Sequence, residues 1–183
     1  MYSLLLISGE ATKQDTTLVV SWESLEKRRK EYTELVQKKV PANSKEIAIA
    51  RSYGDLRENH EYKAAKEMQK ILMRRKVELE VQLVRARGTD FANAKNDAVG
   101  LGTKVKVTDL VSGSEETFSI LGAWDSDPDK GVLSYLTPLA QALLNKKPGE
   151  EADFDMDGAL KRYRIDAIVA VKVPESAPAL APA

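Results

Sequence analysis

The sequence predicts an α+β protein, an N-terminal antiparallel coiled-coil hairpin followed by a small antiparallel sheet domain with one short helix. Three observations carry this. Two runs of apolar residues at alternating spacings of three and four flank Gly54. Beyond residue 104 the apolar period shortens to two. Between the two regimes, residues 88–98 are rich in Asn, Asp, Ala and Gly, the composition of a linker.

Residues 1–20 lack helical periodicity and form a leader of undetermined structure, compatible with a short strand. Ser21 is a candidate N-cap, and Glu23 and Glu26 in the turn that follows complement the helix dipole. Trp22, Leu25, Tyr32, Leu35 and Val36 then form a narrow apolar stripe. Pro41 is expected to interrupt this helix, with Asn43 or Ser44 restarting it and Ile47 and Ala50 continuing the stripe to Gly54. In the second arm Tyr62, Ala65, Gln69, Leu72, Lys76, Leu79, Leu83 and Ala86 mark a two-stranded seam with polar breaks at Gln69 and Lys76. Each arm of about 30 residues would reach roughly 45 Å. Arms of similar length joined by a short connection predict an antiparallel hairpin over 21–87, closed by Gly88.

After the linker, strands are expected at 105–108, 117–121, 132–135, 152–156 and 163–171, with a short helix over 139–144 opened by Pro138. The sheet domain spans 99–173, and 174–183 reads as a flexible tail.

Net charge is zero, so bulk charge predicts neither nucleic-acid nor membrane affinity. The charge is unevenly placed. Residues 1–98 hold 19 Lys/Arg against 15 Asp/Glu, whereas 99–183 hold 9 against 13, so one end is suited to an anionic surface. With no cysteine, thiolate chemistry and disulfides are excluded and a reducing cytoplasm fits. With His60 as the one histidine, a His-rich metal site is excluded as well. The apolar run at 4–7 is too short to span a membrane and lacks a basic leader. The expectation is a cytoplasmic protein without a membrane partner.

The bend at Gly54-Asp55-Leu56-Arg57-Glu58-Asn59 is the strongest functional candidate. Two readings share its geometry. In one, Asp55 caps the second helix and Glu58 closes a capping box. In the other, the two carboxylates at the end of a stalk complete the coordination of a Mg²⁺ held mainly elsewhere, or orient its water. Two carboxylates alone make no full site, so the isolated chain is expected to be a poor enzyme that binds no cofactor of its own. A basic stripe that includes Lys45, Arg51, Lys63 and Lys66 lies behind this tip and suits a phosphate backbone, diluted by interleaved glutamates.

The run Ala50-Arg51-Ser52-Tyr53-Gly54-Asp55-Leu56-Arg57-Glu58-Asn59-His60-Glu61-Tyr62-Lys63-Ala64-Ala65-Lys66-Glu67 resembles the bacterial Gre transcript-cleavage factors, the GreA type more than the GreB type. That family reads A-R-x-x-G-D-L-x-E-N-x-E-Y-x-A-A-K/R-E there. A second run, Thr137-Pro138-Leu139-Ala140-Gln141-Ala142-Leu143-Leu144-Asn145-Lys146, is similar to the family's S-P-I/M-A-R/K-x-L-I/L-x-K. The resemblance covers about 21–172. It implies that the sheet domain is FKBP-like and docks at the rim of the RNA polymerase secondary channel, with Pro138, Leu139, Ala140 and Leu143 as docking candidates. The hairpin would thread the channel as a monomer and meet the 3′ end of backtracked RNA at the active centre. Asp55 and Glu58 would then be donated to the polymerase, Asp55 toward a shared Mg²⁺ and Glu58 toward the attacking water. Arg57 and Asn59 would support the tip, and Lys45, Arg51, Lys63 and Lys66 would contact the RNA. The alternative is a Gre-like regulator that occupies the channel without stimulating cleavage. A coiled-coil adaptor with an unrelated sheet domain is a third reading.

The chain departs from the family at Ser24, where Gly is common, and at Gln141, where a basic residue is usual. Two other features read as structural. The acidic run 125–131 fails the spacing of a Ca²⁺ loop and is expected to be a turn. Phe118, Trp124, Tyr135, Phe154 and Tyr163 at strand spacing are expected in the core.

Overall fold

The computed structural model describes residues 17–54, 59–156 and 158–171. The 174–183 tail, most of the leader and residues 55–58 of the tip lie outside the described residues. Strand β1 (Leu18–Ser21) leads directly into helix α1 (Trp22–Glu34), capped by the Ser21 side chain accepting the Ser24 N–H. A π turn over Leu35–Lys39 joins α1 to α2 (Val40–Ser52). Helix α3 (His60–Arg85) returns antiparallel and runs into β2 (Ala86–Thr89), which pairs parallel with β1.

The first arm is therefore one rod rather than two helices, which corrects the expected break at Pro41. The reason lies in the repeat. Leu25 and Tyr32 are seven apart, as a heptad seam requires. Leu35 and Asn43 are eight apart, and Ala50 lies fifteen from Leu35, so one extra residue has entered the seam. The π turn absorbs it, with the Val40 N–H bonding back to the Leu35 carbonyl five residues earlier. The widened turn also accommodates Pro41, which has no N–H and whose ring would crowd a regular α-helical carbonyl. Neither Asn43 nor Ser44 acts as a cap. The Ser44 hydroxyl donates back to the Val40 carbonyl at 3.1 Å. Asn43 is buried, and its Nδ2 donates across the hairpin to the Ala65 carbonyl at 2.9 Å.

The second arm follows the expected seam. Ala65 and Leu79 are buried and the other six seam positions are half-buried. Polar rungs flank it. Arg28 pairs with Gln82, Tyr32 donates to Glu80 at 2.7 Å, and Arg75 reaches Glu31 at 2.7 Å. Half-buried polar pairs of this kind contribute little individually, so the apolar seam dominates.

The sheet domain holds β3 (Thr103–Asp109), β4 (Glu115–Leu121), β5 (Val132–Ser134), β6 (Glu151–Met156) and β7 (Ala159–Ala170), with helix α4 (Pro138–Leu143). The order is β5-β4-β3-β7-β6. β3 pairs antiparallel with both neighbours and carries a bulge between Lys106 and Val107. The sheet is mixed rather than wholly antiparallel, because β5 runs parallel to β4. The ten residues 122–131 between them are too many for a tight hairpin and make an excursion through a 3₁₀ turn, Pro128–Lys130.

Val105, Val107, Ile120 and Ile165 are fully buried on one face of the sheet, closed by Ala140 and Leu143 of α4. Of the five aromatics expected in the core, Tyr163 stacks on Phe154 at 5.5 Å and meets Phe118 edge-on at 6.2 Å. Tyr135 also packs against this core, its hydroxyl reaching the Val19 N–H, while Trp124 lies outside it and meets Arg28. Phe91 is buried within the stretch that composition marks as linker, so that connection is anchored. Among the described residues no helix is long and apolar enough to cross a membrane.

Two measurements check this account. Burial, reinforced by a 3.1 Å hydrogen bond to Glu116, pushes the Tyr163 phenol up to about 12. A raised phenol pKa contributes stability that is present below the ordinary tyrosine value of about 10 and lost as pH rises through about 12. Denaturant unfolding between pH 10 and 12 is expected to fall more steeply in the parent than in Tyr163→Phe. Asn43→Leu removes a buried polar group, while the Ala65 carbonyl keeps a place in its own helix ladder. Its Tm is expected to rise by roughly 2–4 °C, while amide exchange across the outer hairpin quickens because the register is less tightly specified.

Candidate functional site

The tip is built by two helix ends that stop within a few residues of each other. Tyr53 ends α2 with its N–H on the Ala50 carbonyl at 3.3 Å. Gly54 follows at φ +106°, a conformation that a side chain rarely allows. On the far side Asn59 is the N-cap of α3, its Oδ1 accepting the Tyr62 N–H at 2.9 Å. Its Nδ2 donates to the Ala50 carbonyl at 2.7 Å. One side chain thus starts the second arm and closes it against the end of the first. Asn43 makes the reciprocal link, from α2 to the Ala65 carbonyl of α3. The two amides bracket the outer hairpin from opposite strands of the bend.

This position of the cap bears on the two readings of the bend. Helix α3 begins at His60, so the capping role assigned to Asp55, with Glu58 three residues into the helix, is filled by Asn59 instead. Asp55, Arg57 and Glu58 themselves lie outside the described residues. In sequence Asp55 and Glu58 fall between Gly54 and Asn59, and the start of α3 does not require them as caps.

The basic candidates are placed around this tip. Lys45, Arg51 and Lys63 are exposed, and Lys66 is half-buried with its Nζ on Gln69 at 2.7 Å. Lys45 and Lys63 form no ion pair with a described residue. The Arg51 guanidinium lies 5.9 Å from the Tyr62 ring centre, which keeps it beside the tip. His60 is exposed at the first turn of α3. A shallow groove near the bend is lined by Ile49, Ala50, Ala64, Ala65 and Met68 together with Glu46 and Glu61. Sequence reasoning overlooked it, although Ile49 and Met68 are apolar residues standing outside the seam repeat.

The docking candidates divide. Pro138 is exposed and Leu139 half-buried, but Ala140 and Leu143 are fully buried in the sheet-domain core. Those two shape α4 from beneath and offer no surface, which corrects their assignment. The exposed neighbours are Leu136 and Gln141, the latter donating to the Tyr135 carbonyl at 2.6 Å. The acidic run is a turn, as expected. The Lys130 ammonium holds the Asp127 carboxyl below its usual range, and no cluster of three or more candidate metal ligands occurs among the described residues.

Residues 18–87 match the family profile described as Transcription elongation factor, N-terminal, and residues 94–170 match Transcription elongation factor, GreA/GreB, C-term. The chain is 39% identical over 156 residues to the transcription elongation factor GreA of Treponema pallidum strain Nichols, covering 85% of this chain and 96% of that protein. It is 38% identical over 166 residues to the GreA of Borreliella burgdorferi, covering 91% of this chain and 18% of that longer protein. Among solved structures, GreA factor homolog 1 of Thermus thermophilus is 20% identical, covering 84% of this chain and 99% of its own, with a TM-score of 0.38.

Asn59→Ala removes the cap and the bond across the tip together. The first turn of α3 is expected to lose about 1 kcal/mol, read as faster amide exchange at Tyr62 and Lys63 with the Leu79 region unchanged.

Proposed function

Because this chain belongs to the GreA/GreB family of transcription elongation factors, we propose that it enters the secondary channel of RNA polymerase and stimulates the polymerase's own cleavage of backtracked RNA. The observation that supports this most is the bracketed bend. Two antiparallel helices, tied by Asn43 and Asn59, carry Asp55 and Glu58 in the segment between them.

A pair of carboxylates suits Mg²⁺ as part of a donor set and not as the whole of it. Asp55 is the residue proposed to hold the ion from this side, and in such a site the metal stabilises charge on the phosphate and makes water a better nucleophile. Glu58 accepts a hydrogen bond from the attacking water and fixes its direction. Arg51 and Lys63 hold the phosphates of the extruded RNA by charge, which places the scissile bond within reach of the carboxylates. The stalk supplies position and the polymerase supplies the rest of the catalytic centre, so the isolated chain cleaves nothing. The sheet domain rests on the channel rim through the surface around Pro138, Leu139 and the exposed Leu136.

The test uses an elongation complex stalled in a backtracked register, with Mg²⁺ and this protein. Shortened RNA is expected with the parent. Asp55→Ala and Glu58→Ala are each expected to lower the stimulated rate by roughly 10²-fold or more, with polymerase affinity and folding retained. Occupancy of the channel without shortened RNA would instead support the regulator that blocks and does not cleave. A rate unchanged by either substitution would sink the proposal.

A further inference from the structure

The connection between β4 and β5 carries a carboxylate that the tip chemistry does not use. Asp125 faces the base of the hairpin. Its Oδ2 accepts the backbone N–H groups of Ser21 at 2.9 Å and Gly122 at 3.0 Å. Its Oδ1 accepts the Ser21 hydroxyl at 2.5 Å and also the Ser24 hydroxyl. Four donors converge on one carboxylate, a group that accepts at both oxygens and donates at neither. Three of them belong to the hairpin: the Ser21 N–H, the Ser21 hydroxyl and the Ser24 hydroxyl.

The surroundings bring the two units into close contact. The Ala123 N–H donates to the Val19 carbonyl at 2.8 Å, and the Tyr135 hydroxyl lies 3.4 Å from the Val19 N–H that donates to it. The Arg28 guanidinium stacks 4.3 Å over the Trp124 ring. Val20 is fully buried. A Cβ at Gly122 would come within 2.6 Å of the Val20 Cα, so only glycine permits this approach.

We infer that Ser21, Ser24 and Asp125 are positioning residues that fix the direction in which the hairpin leaves the sheet domain. Their consequence for cleavage rests on the function proposed above. A rod of 31 residues is about 46 Å long, so a swing of about 10° at its base moves its tip by about 8 Å. Reacting groups lose rate over displacements of about 1 Å. A tip delivered while the sheet domain is docked therefore needs a fixed angle at the base. Ser24 adds its hydroxyl bond at this point.

The absence of cysteine allows a clean measurement. Spin labels are placed through Arg74→Cys and Lys104→Cys, exposed positions on the hairpin and the sheet domain. The full-length parent is expected to give one narrow distance distribution. Asp125→Ala is expected to at least double its width, with helical circular dichroism and amide protection inside each unit unchanged. Ser21→Ala/Ser24→Ala leaves the sheet-domain sequence intact and is expected to broaden it likewise, which decides the matter if Asp125→Ala does not fold. An unchanged narrow distribution in whichever of these variants folds overturns the inference. Cleavage is read in parallel. A broadened distribution with a parent that never stimulates cleavage keeps the latch and removes the proposed function. A narrow one in an active parent and in the variants does the reverse.

Discussion

The register between α2 and α3 is the constraint on which the tip depends. A helical seam of small and aliphatic residues tolerates sliding, because one apolar contact resembles the next. Asn43 and Asn59 remove that freedom, since each amide donates across the hairpin to a specific carbonyl, Ala65 and Ala50 respectively. A buried amide costs stability relative to leucine, and it specifies one alignment over its neighbours. The described residues on either side of the bend, Ala50 and Asn59, are thereby tied to each other.

The sheet domain serves as the mount. Its central strand, β3, is paired on both sides and contributes Val105 and Val107 to the core. β4, hydrogen-bonded to this central strand, runs directly into the 122–131 excursion that meets the hairpin. The long connection that makes the sheet mixed also brings Asp125, Trp124 and Gly122 to the junction. Irregular topology and domain contact here have one origin.

Much of this was legible in the sequence, for identifiable reasons. The seam at Ala65, Leu72 and Leu79 could be read because its repeat is local, and the Ser21 cap because capping involves residues three apart. The family resemblance lay in a contiguous run at the bend. What was missed depends on distant partners or on competition between two local signals. Asp-x-x-Glu reads as a helix start, whereas the cap is Asn59, which also bonds to Ala50 in the other arm. Pro41 signals a break unless the chain on its N-terminal side is wound wider. Asp125 reads as one more turn aspartate, since its hydroxyl partners lie about a hundred residues earlier. Ala140 and Leu143 fall within a motif that reads as surface, and burial of one side of a short helix does not show in six residues.

The π turn at Leu35–Lys39 has a bearing on how this arm can vary between relatives. It stores a single surplus residue, so deleting one position there returns the ladder to ordinary winding and leaves Val40–Ser52 with its facing, provided that Pro41, which the widened turn accommodates, is replaced as well. A one-residue insertion has no such outlet and would rotate everything beyond it by about 100°. Length variation in the first arm is thus asymmetric, accepting the loss of one residue when Pro41 is lost with it and intolerant of growth.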